Sequence, residues 1–435
     1  MLRAAAERLE TQELIARLVA LLLALLPIAA AAQAPGVTAD PILLRRADAL
    51  VGILATGGDY DRYFAESFRT KVPREQLATL AGQLRAALGA PQTVESLKAT
   101  TAWSADLVIG YERGTAAVTL ALDPAAPHLA TGLLVTGTGM RDDTLDKVTA
   151  AFRALPGASG FGLYALGEAA PTPIAGYRAD AAAPIGSAFK LWVLDETARQ
   201  VAAGTRHWAE VVPLGTRSLP SGVLQGWPAG TPVTLQTLAT MMVSISDNTA
   251  TDTLMAVLGR AAIDARAVAN GGSAPVLTTR EAFAVKSDPA LTTAWTAATP
   301  PARRALLESR KAEIAAAPLD ASVFGGKPVA IDSVEWFASP LAMAGVLDRL
   351  RKADNPVRAI LGVNAGVDSA TAGRFRYIGY KGGSEPGVIA LNFVVQARDG
   401  RWYAATGNWH RADDQVSELR FSGLMTRLLA LVAAR

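Results

Sequence analysis

The segments most suited to a buried sheet lie far apart in this 435-residue chain. Two strand-like stretches, FGLYALG and PIAGYRA, begin at Phe161, and three more, RFRYIGYKGG, VIALNFVVQA and RWYAATGNWH, come only near the end, before a last helix expected over Asp414 to Ala433. Between them the apolar residues recur at helical rather than alternating spacing. A sheet assembled from distant segments is therefore expected, with the helical middle inserted as a lobe and a cleft where lobe and sheet meet.

The first part of the chain has a different texture. Helices are expected over Pro41 to Ala55, over Asp59 to Phe68 with Asp59 as cap, and over Arg74 to Leu88 ending at Gly89. From Thr93 to Thr136 the pattern changes to short stretches, TVESLKATT, ADLVIGYERG, TAAVTLALDP and HLATGLLVTG, with turns at Glu112-Arg113-Gly114 and Asp123-Pro124. Helices followed by an antiparallel meander predict a small α+β domain over 35–155, and LPGASG at 155–160 reads as the link to a second domain over 156–435. In pattern and order the first domain resembles the cystatin-like, steroid-isomerase-like fold. It holds no convincing pair of carboxylates or histidine site, so a binding or spacer role is expected of it.

Residues 1–34 read as a leader. An apolar run from Leu18 to Ala32 follows Arg3, Arg8 and Arg17 and ends in Ala30-Ala31-Ala32-Gln33-Ala34, an A-x-A cleavage pattern. The run is shorter than the roughly 20 residues of a spanning helix and is broken by Pro27, so no stable membrane span is expected after cleavage. Export to the periplasm or the medium follows as an expectation.

Composition removes several function classes. Half the residues are hydrophobic and 19% are charged, which is a globular balance. The net charge is +3, with no basic run interleaved with aromatics, so nucleic acid is not an expected partner. With no cysteine, thiolate nucleophiles, thiolate metal sites and disulfides are excluded. The three histidines, His128, His207 and His410, lack metal-ligand spacing. No cofactor and no metal are expected; a small-molecule substrate and a monomeric protein are.

Three short elements carry the chemistry. Ser187-Ala188-Phe189-Lys190 opens AFKLWVLDETARQVAAG, in which serine and lysine three apart share a helix face. A serine hydroxyl needs a nearby base, and an apolar-flanked lysine can have its pKa lowered enough to act as one. Ser246-Asp247-Asn248 falls between two apolar helical runs, where a plain helix cap is the competing reading. Lys381-Gly382-Gly383-Ser384 lies on a strand between Tyr380 and VIALNFVV. Together and in this order, the three resemble the S-x-x-K, S-D-N and K-T-G elements of class A β-lactamases and penicillin-binding proteins. The resemblance covers about Phe161 to Arg435, including SLPSGVLQGW and VTLQTLATMMVSISDNTA, with extra helical sequence around Pro300 to Ala317.

The resemblance implies an antiparallel sheet flanked by helices plus an all-helical lobe. It further implies that Ser187 forms an acyl-enzyme on β-lactams or related amides or esters, with Lys190 as base or relay. Ser246 would pass a proton to the leaving nitrogen, Asn248 would hold a substrate amide, and Lys381 would face a substrate carboxylate. Gly383 and Ser384 would line the substrate site, with the backbone N–H groups of Ser187 and Ser384 forming the oxyanion hole. Asp247 is expected to be structural. Two departures bear on substrate and turnover. Gly382 replaces the family's threonine, and Glu385 adds a negative charge close in sequence to Lys381. The E-x-x-L-N pattern of the deacylating glutamate is missing; Glu281 falls in the corresponding region, with a solvated helix-start glutamate as the alternative reading. An esterase on the same scaffold and a penicillin- or peptidoglycan-binding protein that stays acylated both remain open.

Overall fold

A computed structural model describes residues 37–218, 221–318, 325–353 and 355–434. The leader lies outside the described residues. The chain divides into two units, one from residue 145 onward and one made of the residues before it together with Val367–Thr371.

In the first unit, helix Pro41–Thr56 starts with the Asp40 side chain accepting Ile42 N and a proline in its first turn, and stops at Gly57 in the left-handed region at φ 84°. The expected helix over Asp59–Phe68 is instead two single turns, Tyr60–Tyr63 and Glu66–Arg69, and Asp59 makes no side-chain cap. Phe64 goes extended between them and bridges Ala130, which turns the chain so that Phe64 and Phe68 stack at 4.4 Å. Helix Arg74–Leu88 follows. Strands β1 (Pro91–Thr101), β2 (Ser104–Tyr111), β3 (Gly114–Leu122) and β4 (Ala130–Met140) form an antiparallel meander in the order β1-β2-β3-β4. The strict alternation of buried and half-buried residues along β3 is the signature of a sheet with one covered face. Leu43, Leu50, Leu54 and Leu84 from the helices meet Leu107, Ile109, Val118 and Leu120 on that face.

The second unit begins ten residues earlier than the LPGASG link suggests. Helix Leu145–Arg153 belongs to it because Phe152 packs on Phe161 and Phe421, both buried residues of that unit. Strands β5 (Ala158–Leu166) and β6 (Thr172–Tyr177) open the unit, and β11 (Tyr377–Glu385), β12 (Val388–Gln396) and β13 (Trp402–His410) close it. They join as one antiparallel sheet in the order β11-β12-β13-β5-β6, with Leu166 opposite Trp402. Short strands lie between: β7 (Ala183–Pro184) pairs with β10 (Phe337–Ala338), and β8 (Val211–Pro213) with β9 (Pro232–Thr234).

Strand β12 is buried on both faces, so its apolar run is continuous rather than alternating. Helix Pro340–Lys352 covers one face, where Thr406 Oγ1 donates to Pro340 O. Helix Glu418–Ala433 covers the other, against Gly407 and Trp409. That last helix starts at the Ser417 cap rather than at Asp414. The lobe contains helices Leu235–Ser244, Asn248–Leu258, Arg260–Ala269, Thr279–Ser287 and Pro289–Ala297, and the extra sequence adds Pro300–Ser309 and Lys311–Ala316. Among the described residues no helix is long and apolar enough to cross a membrane, and no group of acidic or histidine residues could hold a metal ion.

Candidate active site

Ser187 does not lie in the α-helix itself. Gly186–Phe189 is a 3-10 turn that delivers the chain into helix Lys190–Ala202, with Gly186 in the left-handed region at φ 48°. The tighter turn ends at Lys190, so serine and lysine still fall on one side. The turn is anchored from below: Ile185 N donates to Trp336 O at 2.9 Å, and Phe189 stacks on the Trp336 ring at 4.1 Å. Ser187 is half-buried, and its Oγ makes no hydrogen bond among the described residues.

Strand β11 lies directly against this turn. A side chain on Gly383 would put its Cβ 2.2 Å from Ile185 O and 2.4 Å from Ser187 N, so only glycine allows the approach. On the other side of the contact, a Cβ on Gly186 would lie 3.1 Å from Ser384 N. The backbone amides of Ser187 and Ser384 are thereby neighbours.

Ser246 sits between helices Leu235–Ser244 and Asn248–Leu258 with φ 59°, a left-handed conformation that costs a non-glycine residue about 1–2 kcal/mol. The strain aims its hydroxyl at two amines. Ser246 Oγ is 3.0 Å from Lys190 Nζ and 3.0 Å from Lys381 Nζ. Lys190 Nζ also donates to Ser246 O and to Asn248 Oδ1, both at 2.6 Å, and Lys381 Nζ donates to Gly382 O at 2.6 Å. Asp247 spends its carboxylate on three backbone amides, Val223, Leu224 and Ala250, which pins the loop and fixes Ser246 and Asn248 on either side.

Both lysines are buried, at 0% and 3% exposure, and among the described residues neither forms an ion pair. Burial lowers the Lys190 amine well below its ordinary range, and the charge of Lys381 lowers it further. Burial alone brings Lys381 down to about 7. An unprotonated Lys190 has two N–H groups for Ser246 O and Asn248 Oδ1, which leaves its lone pair for a hydroxyl proton. Lys190 from the helix, Ser246 and Asn248 from the loop and its following helix, and Lys381 from the strand thus converge, and Ser187 lies on the turn that leads into Lys190.

Glu281 is not in this group. Its Oε2 accepts Thr278 N at 2.8 Å in a capping box, and its Oε1 is held by Arg260. Both of its oxygens are thus engaged at the helix start. Glu385 likewise turns away from Lys381: it is gripped by Lys286, which also lies 3.8 Å from Glu335. Neither Lys286 nor Glu335 carries a motif. Lys286 in AFAVKSD has an apolar flank that hints at burial, whereas Glu335 in DSVEWF offers no signal at all.

Residues 144–313 match the model of the family described as Beta-lactamase enzyme family. Among solved structures, the chain is similar to a β-lactamase from Sphaerobacter thermophilus at 20% identity, covering 66% of this chain and 95% of that one with a TM-score of 0.47. It is similar to PBP-A at 15% identity, with 66% and 94% covered and a TM-score of 0.45. A class A β-lactamase of the last common ancestor of Gram-negative bacteria gives 18% identity, 67% and 98% coverage and a TM-score of 0.46. No curated protein matches the chain.

Proposed function

We propose, from the premise that the second unit is a β-lactamase-like domain, that this chain is an exported serine hydrolase acting through a Ser187 acyl-enzyme on β-lactams or related amides and esters. The observation that carries the reading is the single hydroxyl of Ser246 held 3.0 Å from each of two buried lysine amines. Burying two ammonium groups without carboxylates is costly, and such perturbed groups cluster where protons must move.

In this reading Ser187 Oγ attacks the substrate carbonyl carbon and gives its proton to the unprotonated Lys190 Nζ. The carbonyl oxygen becomes an oxyanion facing the amides of Ser187 and Ser384. As the tetrahedral species collapses, the carbon–nitrogen or carbon–oxygen bond breaks. The proton on Lys190 passes through the Ser246 hydroxyl to the leaving atom. Asn248, its Oδ1 engaged by Lys190, has Nδ2 to offer a substrate carbonyl, and charged Lys381 faces a substrate carboxylate. Water then cleaves the Ser187 ester, releasing the acid and restoring the hydroxyl. With Glu281 engaged in capping, Lys190, neutral again after the first step, is the base left to activate that water. Export rests on the leader residues before Ala34.

A second reading, an esterase on the same scaffold, is favoured by Gly382. Position 382 supplies no hydroxyl of its own to share a carboxylate with Lys381, which reduces the demand for an anionic substrate. Intact-protein mass followed over time with a penicillin and with a neutral aryl ester tests both. An adduct on the peptide containing Ser187 that forms and clears with substrate loss is expected. A penicillin adduct that never clears would make this a penicillin-binding protein. No adduct from either probe would overturn the serine-hydrolase reading.

The titration of Lys381 makes a further expectation. Its charge is present below and lost above about 7. The value of kcat/KM reports the free protein, so for a carboxylate-bearing substrate it should fall as pH rises through about 7. For a neutral ester that descending limb should be missing. Identical pH profiles for the two substrates would remove Lys381 from anion recognition.

A further inference from the structure

Directly behind the paired amides lies a buried ionic trio with no part in the proton relay. We propose that Glu335, braced by Lys286 and Glu385, is a positioning residue that clamps the turn bearing Ser187 to the strand bearing Ser384 and so fixes the spacing of the two oxyanion amides. The proposal rests on the serine-hydrolase reading above and deepens it.

The connections run residue by residue. Glu335 Oε2 accepts Gly186 N at 2.9 Å, immediately before Ser187, and accepts Trp336 N at 3.1 Å. Its Oε1 lies 3.8 Å from Lys286 Nζ, on helix Thr279–Ser287. Lys286 in turn donates to Glu385, immediately after Ser384 on β11, and the carboxyls of Glu335 and Glu385 are themselves hydrogen-bonded. The residue before one oxyanion donor and the residue after the other are therefore tied to the same carboxyl group. Nothing in the trio touches Ser187 Oγ, so its effect on chemistry passes through backbone geometry alone.

Three features separate this arrangement from ordinary packing. The side chains of Lys286 and Glu335 are each 1% exposed and that of Glu385 9%, and buried ions of this kind seldom gain stability over apolar residues of similar volume. Two carboxyls face one ammonium, so the trio is neutral only while a proton is shared. Burial first, and then the neighbouring Glu385 charge, raises Glu335 to about 8. Finally, the contact it governs has little slack, because even a Cβ added at Gly383 would run into Ile185 O and Ser187 N. A shift of a few tenths of an ångström at Gly186 would be passed directly to Ser187 N.

The test compares Glu335→Gln, which keeps an acceptor for Gly186 N without the charge, with Glu335→Leu, which keeps the volume and loses the acceptor. Wild type and Ser187→Ala are run beside them. The probe is an alkyl fluorophosphonate: Ser187 Oγ attacks phosphorus, fluoride leaves, and the phosphoryl oxygen occupies the oxyanion site. The labelling rate constant is read separately from non-covalent affinity, by intact mass at several probe concentrations. Glu335→Leu should lose labelling rate by about 100-fold, the scale of removing one oxyanion donor, at unchanged affinity. Glu335→Gln should remain within about threefold of wild type.

A pH series supplies a readout that packing alone would not move. A carboxyl whose folded pKa is raised contributes stability that is full below its unfolded value and is lost as pH rises through the folded one. The Glu335 contribution, read as the thermal midpoint of wild type minus that of Glu335→Gln at each pH, should thus decline towards pH 8. A folded Glu335→Leu that labels at the wild-type rate would overturn the clamp while leaving the hydrolase reading intact. If Glu335→Leu does not fold, Glu385→Gln carries the test, with a tenfold loss expected and a wild-type rate overturning. Equal labelling of wild type and Ser187→Ala would remove the serine-hydrolase reading, and the clamp with it.

Discussion

Ser187→Ala is expected to abolish covalent labelling and to lower turnover by about 10⁵- to 10⁶-fold, the scale found when a serine nucleophile is deleted from an intact site. Among the described residues no other side chain is placed to substitute. The chain has no cysteine, and the Ser246 hydroxyl is already engaged by two amines and fixed by a strained backbone. What survives should be only the contribution of the oxyanion amides and binding. The fold should hardly notice: Ser187 is half-buried and its Oγ has no hydrogen bond to lose, so stability should change by less than about 0.5 kcal/mol. Mass spectrometry and thermal unfolding of the same preparation separate the two effects. An adduct that persists in the variant and maps to Ser246 would reverse the roles of the two serines.

Lys190→Met should slow acylation by about 10²- to 10⁴-fold, the range of a positioned general base. Methionine keeps the unbranched shape inside the core but offers no basic nitrogen for the Ser187 proton. It also leaves Asn248 Oδ1 and Ser246 O without their donor, at a cost of about 1–3 kcal/mol. Removing a desolvated amine works in the opposite direction, so the variant should still fold. The ascending limb of the wild-type pH profile, set by the loss of a proton from Lys190, should vanish with it. Acylation within tenfold of wild type, or an unchanged ascending limb, would place the base elsewhere.

How much of this was legible beforehand depended on how local each feature is. Ser187, Lys190, Ser246, Asn248 and Lys381 announce themselves in short strings, because their placement is set by one turn, one cap and one strand. The strands at the two ends of this unit are legible too, since a run such as VIALNFVV has few other uses, but their order in the sheet is not. The start of the nucleophile helix was missed by one turn because Gly186 and Ser187 are helical in pattern but 3-10 in geometry, a difference set by the contact with Gly383. Glu281 was ambiguous because a capping glutamate and a catalytic one look alike until Arg260, distant in sequence, is seen to hold it. Glu335 was illegible for a deeper reason. Its partners are Gly186, Lys286 and Glu385, and no pattern within one segment encodes a contact among four.

The sheet order also says something about how this chain is made. Strands β5 and β6 leave the ribosome long before β13, the strand that pairs with β5, and β11 and β12 are equally late. Contacts so distant in sequence are slow to form, because the loop between them must be closed before any pairing rewards it. Until β11 docks, Ser187 has no Gly383 against its amide and Ser246 has no Lys381. A chain interrupted anywhere in the helical lobe would carry the nucleophile and its base yet have no oxyanion site. The proposed acylating machinery would therefore be complete only once these last strands pair, and labelling at Ser187 should report a finished molecule.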